Sequence, residues 1–357
     1  MSVQRYLFYI TQNYSFAILR PVQKVILEQG NQVAWFVAQD SVNLDYFEDG
    51  ERRLETIDDI FDFNPQAVLH PADIAPTFLP GINVSVFHGF NSGKLDKRGR
   101  NDHFKVRNCF DLYCTQGPNT TTEFKALQQQ HPHFQVRETG WCMLDPLFAK
   151  QAPISDGKNS PADKDKRKTI LMCSTFSKRL TAAPILFETI KTLCQKDQWR
   201  WLIQFHPKMD KDIVAQYKSI QNDNLTFVET ADVLPLLKEA DVMVCDTSSV
   251  LIMFLLLNKP VVTFNNISPK DYMLDIDSAD LLEQTIYTAL GRPEKLMAHI
   301  QEFIEQTHPY QDGKSSQRLL QAIDEVCSKD DPKKKKPFDF FRQLKIRKRL
   351  NYWKFRL

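Results

Sequence analysis

The sequence lacks the glycine motifs that mark several common classes of nucleotide-dependent enzymes. It contains only 11 glycines in 357 residues, and neither Gly-x-Gly-x-x-Gly nor Gly-x-x-x-x-Gly-Lys-Ser/Thr occurs. These patterns let the backbone approach a phosphate closely, so their absence argues against a nicotinamide enzyme and against a P-loop ATPase.

Paired cysteines and long apolar runs are missing as well. The seven cysteines form no Cys-x-x-Cys pair, which argues against a disulfide framework and a zinc ribbon and favours a reducing compartment. The longest apolar run, residues 250–257, is far shorter than the roughly 20 residues of a membrane-spanning helix. The apolar stretch at residues 6–10 is too short for a signal-peptide core. We therefore expect a cytoplasmic protein without a bound metal or cofactor.

Composition and length indicate a two-domain globular protein. Hydrophobic residues make up 42% of the chain and charged residues 25%, which excludes a wholly disordered or fibrous protein. One hydrophobic core rarely organises a chain of this length, so two domains of about 150 residues are expected.

Strand-like and helix-like segments alternate along the chain, which is typical of an α/β protein with parallel sheets. The first series begins with predicted strands at 5–10 and 32–38, separated by a helix at 15–29 that Gly30 ends. A second series starts at 169–173. The sequence thus predicts two doubly wound halves.

The predicted domain boundaries follow changes in composition. Residues 151–167 are rich in Pro, Asp, Lys and Ser and are predicted to form a linker. We expect a first domain at 1–150, a second at 168–328, and a basic tail at 329–357.

Positive charge is concentrated at the C-terminal end. Residues 333–357 contain eleven Lys or Arg and one acid, a net charge of +10, so the remainder carries −8 of the total of +2. Apolar residues recur there near helical spacing, namely Phe341, Leu344, Leu350, Trp353 and Leu357. An interfacial helix of this kind is attracted to an anionic bilayer by about 1 kcal/mol per basic residue near the surface. We favour such a membrane partner over a solvated tail or nucleic-acid binding, because the aromatics supply an apolar face.

The first candidate site follows a predicted strand at 84–87 and begins at His88-Gly89. Imidazole titrates near neutral pH, so His88 is a candidate general base, although a single histidine after a strand is commonly structural. Gly89 and Lys94 are candidate contacts for an acceptor or a phosphate. The basic residues of this loop are equally compatible with a solvated surface.

Two further candidate sites lie at predicted strand ends in the second half. In His206-Pro207-Lys208, proline favours an extended His206, whose ring N–H can donate to a phosphate oxygen while Lys208 adds charge. A simple turn is the alternative. In Asp246-Thr247-Ser248-Ser249, four consecutive capping residues precede an apolar helix, which favours an anion over a simple helix cap.

The last candidate, His308 to Arg318, contains Asp312-Gly313 and leads into a predicted helix at 316–326. Asp-Gly is a turn signal, and Ser315 is a plausible cap. On spacing alone, this motif is equally well explained as a turn and a cap at the start of the helix.

The four motifs in this order resemble the CDP-glycerol glycerophosphotransferase family, whose members include teichoic-acid polymerases and primases. The resemblance implies the GT-B fold, in which two Rossmann-like domains face a cleft. It also implies that His88 is the general base and that His206 contacts the donor diphosphate. The residues implied at the donor phosphates or nucleotide are Thr247, Ser248, Ser249, Lys208, Asp246 and Ser315.

Three features depart from the family pattern. Lys94 lies six positions after His88, whereas the family usually has a lysine five positions after this histidine. The segment 140–145 keeps Gly140 and Asp145 but lacks the Pro-Arg of Gly-x-Pro-Arg-x-Asp, and the basic residue of the loop at 173–179 is displaced. The donor is therefore left open between CDP-glycerol and a nucleotide sugar. A nucleotide-sugar 2-epimerase is disfavoured because those enzymes carry Asp-Ser-Gly-Gly where this chain has Asp246–Ser249.

The resemblance thus predicts an enzyme that moves glycerol phosphate from CDP-glycerol to a hydroxyl of a lipid-linked or polysaccharide acceptor, at the inner face of the membrane. Two alternatives remain. One is a glycosyltransferase that uses a nucleotide sugar for capsule or lipopolysaccharide synthesis. The other is a non-catalytic membrane-bound scaffold that keeps the fold.

Overall fold

The computed structural model describes residues 3–91, 99, 101–149, 166–206, 208–230, 232–328 and 335–354. The chain divides into two compact units, one formed by Met1–Lys150 with Thr307–Leu357 and the other by Gln151–Gln306. The sequence placed residues 307–328 in the second domain and 329–357 in a separate tail, whereas both segments are grouped with the first unit. Most of the predicted linker lies outside the described residues.

The first unit is built on a seven-stranded parallel sheet. Its strand order is β3-β2-β1-β4-β5-β6-β7, and every described pairing is parallel. The strands are β1 (Arg5–Ile10), β2 (Gln32–Val37), β3 (Arg53–Leu54), β4 (Ala67–His70), β5 (Ile82–Ser85), β6 (Leu112–Thr115) and β7 (Gln135–Glu138). Five of the six residues of β1 are buried, as expected of a parallel strand covered on both faces.

Helices cover this sheet. They are α1 (Tyr14–Glu28), α2 (Ile57–Phe63), α3 (Pro118–Gln130), α4 (Asp145–Phe148), α11 (Ser315–Cys327) and α12 (Phe340–Arg349). Thr56 and Asp59 form a reciprocal capping box at the start of α2, which satisfies backbone N–H groups that the helix itself leaves free.

The C-terminal helix α12 is docked on the first unit. Gln343 and Ile346 are buried, and Tyr352 belongs to the core cluster that contains Leu7, Tyr9 and Phe36. The predicted apolar residues Phe341, Leu344 and Trp353 are instead exposed by 74%, 38% and 48%. The helix therefore has a packed inner face and an aromatic outer face, and the predicted Leu357 lies outside the described residues.

The second unit contains a six-stranded parallel sheet in the order β10-β9-β8-β11-β12-β13. Its strands are β8 (Lys168–Ser174), β9 (Trp199–Phe205), β10 (Leu225–Phe227), β11 (Val242–Cys245), β12 (Val261–Phe264) and β13 (Leu274–Ile276). The accompanying helices are α5 (Ala183–Leu193), α6 (Lys211–Ser219), α7 (Leu234–Glu239), α8 (Val250–Leu256) and α9 (Leu282–Leu290), while α10 (Glu294–Thr307) reaches the unit boundary.

Both sheets show the doubly wound strand order that the sequence predicted. In the first unit the order turns at the junction of β1 and β4, and in the second at the junction of β8 and β11. Ligands of open α/β sheets bind outside the carboxyl ends of strands at such switch points. The fold thus directs attention to the loops that follow these strands.

One local feature differs from the predictions. Strand β5 ends at Ser85, two residues before the predicted end at 87, because Phe87 adopts a left-handed φ of 56° that turns the chain away from the sheet. Asp275 lies in β13 and accepts hydrogen bonds from Thr263 and Asn266. Among the described residues, no helix is both long and apolar enough to span a bilayer.

Candidate active site

In the first unit, three side chains that follow different strands gather around His88. Tyr14 comes after β1, Asp73 after β4 and His88 after β5. The His88 Nδ1 atom lies 3.7 Å from Asp73 Oδ1, and the Tyr14 and His88 rings stack with centroids 5.7 Å apart. Since β1 and β4 are neighbours at the switch point, this group occupies the position where a ligand is expected.

The backbone before His88 is unusual. Phe87 has a φ of 56°, a left-handed conformation that is costly for a bulky residue. Its ring is buried and packs against Phe124 and Tyr113. This packing holds the sharp turn and leaves the side chain of His88 48% exposed.

A charged network continues from Asp73. Its Oδ2 atom lies 3.3 Å from an Arg107 guanidinium nitrogen, and the same nitrogen donates to Asp102 at 2.9 Å. The Arg107 side chain is only 12% exposed. Asp73 therefore lies between a candidate base and a fixed positive charge.

A cavity of about 160 Å³ adjoins this group. Its lining residues are Asp73, His88, Phe90, Asn91, Asn101, Asp102 and His103. Burial, together with repulsion from the nearby His88 imidazole, lowers the pKa of His103 to about 4. His103 is therefore neutral near pH 7. His88 is the more exposed imidazole of the two and the better placed to exchange a proton with a substrate.

Gly89 and Lys94 were predicted beside His88. The Gly89 carbonyl accepts a hydrogen bond from the Gln116 side chain at 2.8 Å. A Cβ atom added at Gly89 would have no atom within 4 Å among the described residues. Gly89 therefore has a defined backbone position at the edge of this group. Lys94 lies outside the described residues.

In the second unit, Asp246 has a structural role that the sequence did not predict. It is fully buried, and its carboxylate accepts hydrogen bonds from the Ser174 hydroxyl and from the backbone N–H groups of Thr175 and Ala182. Burial raises the pKa of Asp246. The carboxylate therefore ties the loop after β8 to the start of α5, and this disagrees with its predicted place as a direct donor contact.

The hydroxyl residues after Asp246 remain available to a ligand. Thr247 accepts a hydrogen bond from the Ile267 N–H at 3.2 Å. Ser249 precedes α8 and makes no side-chain capping bond. Ser248 is partly exposed and Ser249 exposed, so the turn after β11 presents hydroxyl groups to solvent.

His206 follows β9 in the same unit and is exposed. Its Nδ1 atom accepts the Lys208 backbone N–H at 3.0 Å, which leaves Nε2 to carry the proton of the neutral ring. Burial and the Lys208 charge lower the pKa of His206. His206 is thus suited to donate a hydrogen bond from Nε2, and its contact with a donor phosphate stays a prediction.

Phe176 lies beside His206 and Lys208, although no role was predicted for it. Its ring lies 4.6 Å from the His206 ring and 5.8 Å from the Lys208 ammonium. Phe176 and Lys208 also line a cavity of about 420 Å³, together with Lys178, Thr181, Pro184, Met209, Asp210, Asp212 and Ile213.

Ser315, which was predicted to contact the donor, belongs to the first unit. It is buried there, and its backbone N–H, like that of Ser316, donates to the Asp145 carboxylate at 2.8 and 2.7 Å. Gly140 packs directly against Ser315, because an added Cβ would be 2.4 Å from the hydroxyl. This placement disagrees with the predicted donor contact and explains why Gly140, Asp145 and Ser315 occur together as an internal brace.

Sequence reasoning missed Tyr14, Asp73, Arg107 and Phe176. Asp73 carried a weak signal, since it follows a short apolar segment at 67–69 and strand ends collect functional groups. No spacing rule links Arg107 to Asp73. In the described part of the chain, no group of three or more His, Cys, Asp or Glu residues is arranged to hold a metal ion.

The chain is similar to known proteins in sequence and in structure. It is 27% identical over 210 residues to a teichoic acid glycerol-phosphate primase from Bacillus subtilis (strain 168), which covers 54% of this chain and 52% of the relative. The chain thus spans about half the length of this curated relative. The match confirms the resemblance to glycerophosphotransferases that the motifs indicated.

Two solved structures share the fold. The wall teichoic acid polymerase TagF matches with a TM-score of 0.63 at 13% identity, covering 92% of this chain and 90% of that one. A co-structure of S. aureus MnaA with UDP matches with a TM-score of 0.61 at 18% identity, covering 95% and 100%. These matches confirm the predicted GT-B-like arrangement of two Rossmann-like domains.

A family model supplies the remaining comparison. The model described as UDP-N-acetylglucosamine 2-epimerase matches residues 111–324, which is more than half of the chain. The sequence disfavoured that group of enzymes on one motif, and Asp246–Ser249 does depart from Asp-Ser-Gly-Gly. On the extent of this match, the chain belongs to the UDP-N-acetylglucosamine 2-epimerase family.

Proposed function

We propose that this protein transfers glycerol phosphate from CDP-glycerol to a hydroxyl group of a lipid-linked or polysaccharide acceptor. The sequence match to a glycerol-phosphate primase supports the substrate class, and structures of the polymerase TagF include CDPG soaks. The single structural observation that carries the chemistry is the exposed His88 imidazole beside Asp73.

In this mechanism the first unit activates the acceptor. A neutral His88 uses one ring nitrogen to take the proton of the acceptor hydroxyl, while the other faces the Asp73 carboxylate. The positive charge that develops on the imidazole is balanced by Asp73. The acceptor oxygen then attacks the phosphorus that carries glycerol.

The second unit holds the donor phosphates. Ser248 and Ser249 hydroxyls, the Nε2–H of His206 and the Lys208 ammonium are donors that stabilise charge on the phosphate groups. A new bond forms between the acceptor oxygen and phosphorus, and the phosphorus–oxygen bond to CMP breaks. CMP leaves with the bonding electrons, and no covalent enzyme intermediate is required.

The outer face of α12 supports a place for this reaction at a membrane. Phe338, Phe340, Phe341 and Trp353 are between 48% and 74% exposed, and Lys345 and Lys348 on the same helix are exposed cations. Aromatic side chains with cations suit the interface of an anionic bilayer. We propose that this face, within residues 333–357, places the protein on the inner surface of the cell membrane.

The direct test is an assay of nucleotide release. Purified protein is incubated with CDP-glycerol and a lipid-linked hydroxyl acceptor in anionic vesicles, and CMP and glycerophosphorylated product are measured. His88→Ala is the inactive control, and omission of acceptor measures hydrolysis. Acceptor-dependent CMP release supports the proposal, whereas its absence with every hydroxyl acceptor contradicts it.

A second candidate function follows from the family model. Nucleotide-sugar chemistry, either glycosyl transfer or 2-epimerisation, would use the same phosphate-binding groups. A panel of UDP-, GDP- and CMP-sugars separates these reactions, since glycosyl transfer releases the nucleotide and epimerisation yields an isomeric sugar. Nucleotide binding without turnover of any donor would instead indicate a non-catalytic scaffold.

A further inference from the structure

The C-terminal segment 335–354 binds the loop that carries Asp73. Gln343 is 4% exposed, and its side-chain oxygen accepts the Thr77 backbone N–H at 3.1 Å. The Arg347 guanidinium lies 4.1 Å from the centre of the Phe78 ring, and Tyr352 stacks on the same ring at 5.7 Å. The loop between β4 and β5 is therefore held by the inner face of α12.

The same segment binds the loop that carries Arg107. Arg342 donates a hydrogen bond to the Arg107 carbonyl. The Lys336 ammonium lies 2.6 Å from Asp111 and 3.4 Å from the Cys109 carbonyl. The Cys109 thiol in turn lies 3.9 Å from the Asp73 carbonyl, so the two loops are also connected to each other.

These contacts converge on the carboxylate beside His88. One Asp73 oxygen faces His88 and the other faces Arg107. The segment 335–354 contacts the Arg107 carbonyl and, in the other loop, Thr77 and Phe78, four and five residues after Asp73. A displacement of about 1 Å in a catalytic group is sufficient to cost two orders of magnitude in rate. The position of the carboxylate therefore depends on the C-terminal segment.

We propose that the segment 335–354 is a positioning element of the active site, which holds Asp73 and Arg107 so that the imidazole of His88 is correctly oriented for proton transfer. This inference deepens the proposed function and rests on it for the role of His88. Asp73 lies 3.7 Å from Nδ1, so its negative charge favours a proton on Nδ1 and leaves Nε2 as the basic nitrogen. Gln343 and Arg342 act only through the two loops.

Helix α12 offers a matched comparison, because its two faces have separate roles. Gln343→Ala with Arg342→Ala removes one hydrogen bond to each of the two loops. Phe341→Ser with Leu344→Ser changes two exposed residues of the same helix and leaves the loop contacts in place. Both pairs are made in the full chain and assayed with a water-soluble hydroxyl acceptor, so that membrane binding does not affect the comparison.

Three measurements are made on each variant: kcat, the donor KM, and the ¹⁵N shifts of the His88 ring, which report the tautomer without any need for turnover. In the inner-face variant we expect kcat to fall about tenfold to a hundredfold at unchanged donor KM, with His88 moving to a mixture of tautomers. The outer-face variant keeps wild-type values for all three.

Asp73→Asn provides a second route that leaves α12 intact, and it should reproduce the loss in kcat and the tautomer change. A folded inner-face variant with wild-type kcat and an unchanged His88 spectrum overturns the proposal, as does an unchanged spectrum in Asp73→Asn. The nitrogen shifts remain informative if no donor is turned over. Failure of the proposed function is thus distinguishable from failure of this inference.

Discussion

His88 and Asp73 come from the ends of different strands of one parallel sheet, yet His88 Nδ1 lies 3.7 Å from Asp73 Oδ1. This separation is longer than a hydrogen bond and within the range of an ion pair. Catalytic hydrogen bonds are often long in free enzymes and shorten when substrate binds. The pair therefore has the geometry of a base and the group that orients it.

Loss of the His88 imidazole should remove the base while leaving the donor site intact. General base catalysis contributes about 10² to 10⁴ in rate, so His88→Ala should lower kcat by at least about 10². The dissociation constant of CDP-glycerol, measured by calorimetry, should stay within a few-fold of wild type. His299→Ala, on α10, is the control, and near-wild-type turnover by His88→Ala would refute the base assignment.

The hydroxyls of Ser248 and Ser249 should contribute to donor affinity. A hydrogen bond to a charged group is worth about 1.5–3 kcal/mol, so Ser248→Ala with Ser249→Ala should raise the donor KM by about tenfold or more. Ser219→Ala, at the exposed end of α6, is the matched control. An unchanged KM and dissociation constant would place the donor phosphates elsewhere.

Membrane binding should depend on the outer aromatic residues near α12. The triple variant Phe338→Ser, Phe341→Ser and Trp353→Ser should release the protein from vesicles that contain anionic lipid. Each aromatic ring that is fully inserted into the bilayer contributes roughly 1.5–3 kcal/mol to the free energy of binding, and the variant loses this contribution. Co-sedimentation measures the bound fraction. Ile185→Ser, which changes a side chain that is 57% exposed in the second unit, should have no effect.

Undiminished sedimentation of the triple variant would exclude this face as the membrane contact. High salt offers an independent check, because screening weakens the attraction between cations and anionic lipid. Loss of binding in salt with retained binding of the aromatic variant would indicate purely electrostatic attachment.

Stability should fall as pH is lowered below neutrality, because the buried His70 and His308 and the half-buried His103 are held in the neutral form. Burial lowers the pKa of His70 to about 3 and the pKa values of His103 and His308 to about 4. In the unfolded chain the histidine pKa values are near 6.5. Between the folded and the unfolded pKa values, the unfolded chain therefore binds more protons than the folded one. Each histidine then costs about 1.4 kcal/mol per pH unit in that range.

Thermal unfolding between pH 7 and pH 5 measures this dependence. His70→Gln removes one titrating group and should reduce the slope of the unfolding free energy against pH by roughly a third of the histidine contribution. Equal slopes for the variant and the wild type would show that His70 does not remain neutral in the folded protein.

Asp145 should contribute strongly to stability. Its carboxylate accepts the N–H groups of Ser315 and Ser316 in a buried environment, and each buried donor left unpaired costs about 1–3 kcal/mol. Asp145→Ala should therefore lower the melting temperature by several degrees or more, whereas Asp223→Ala at an exposed position should not. A wild-type melting temperature for Asp145→Ala would contradict this role.

The sequence determined the class of fold because strand and helix periodicity are local properties. The alternation of apolar segments predicted two doubly wound parallel sheets. Strand β1 lies at its predicted position, and β2 ends one residue before its predicted end. The motifs at His88, His206 and Asp246–Ser249 were found for the same reason, since each follows a strand. The sequence did not reveal the structural role of Asp246, whose partners at Ser174 and Ala182 are distant in the chain.

Only the tertiary structure showed which contacts the segment Thr307–Leu357 makes. The motif that contains Ser315 forms an internal brace with Asp145 in the first unit, and Gln343 holds the loop of Asp73. The predicted apolar spacing is met by Phe341 and Leu344, which lie exposed on α12. Leu350 instead packs against the core, and Trp353 follows the end of the helix. The helix packs through Gln343 and Ile346, and Tyr352 packs just after its end. Which side chains become buried depends on the surface that the helix meets. Contacts between residues far apart in the chain follow from packing, which no local pattern encodes.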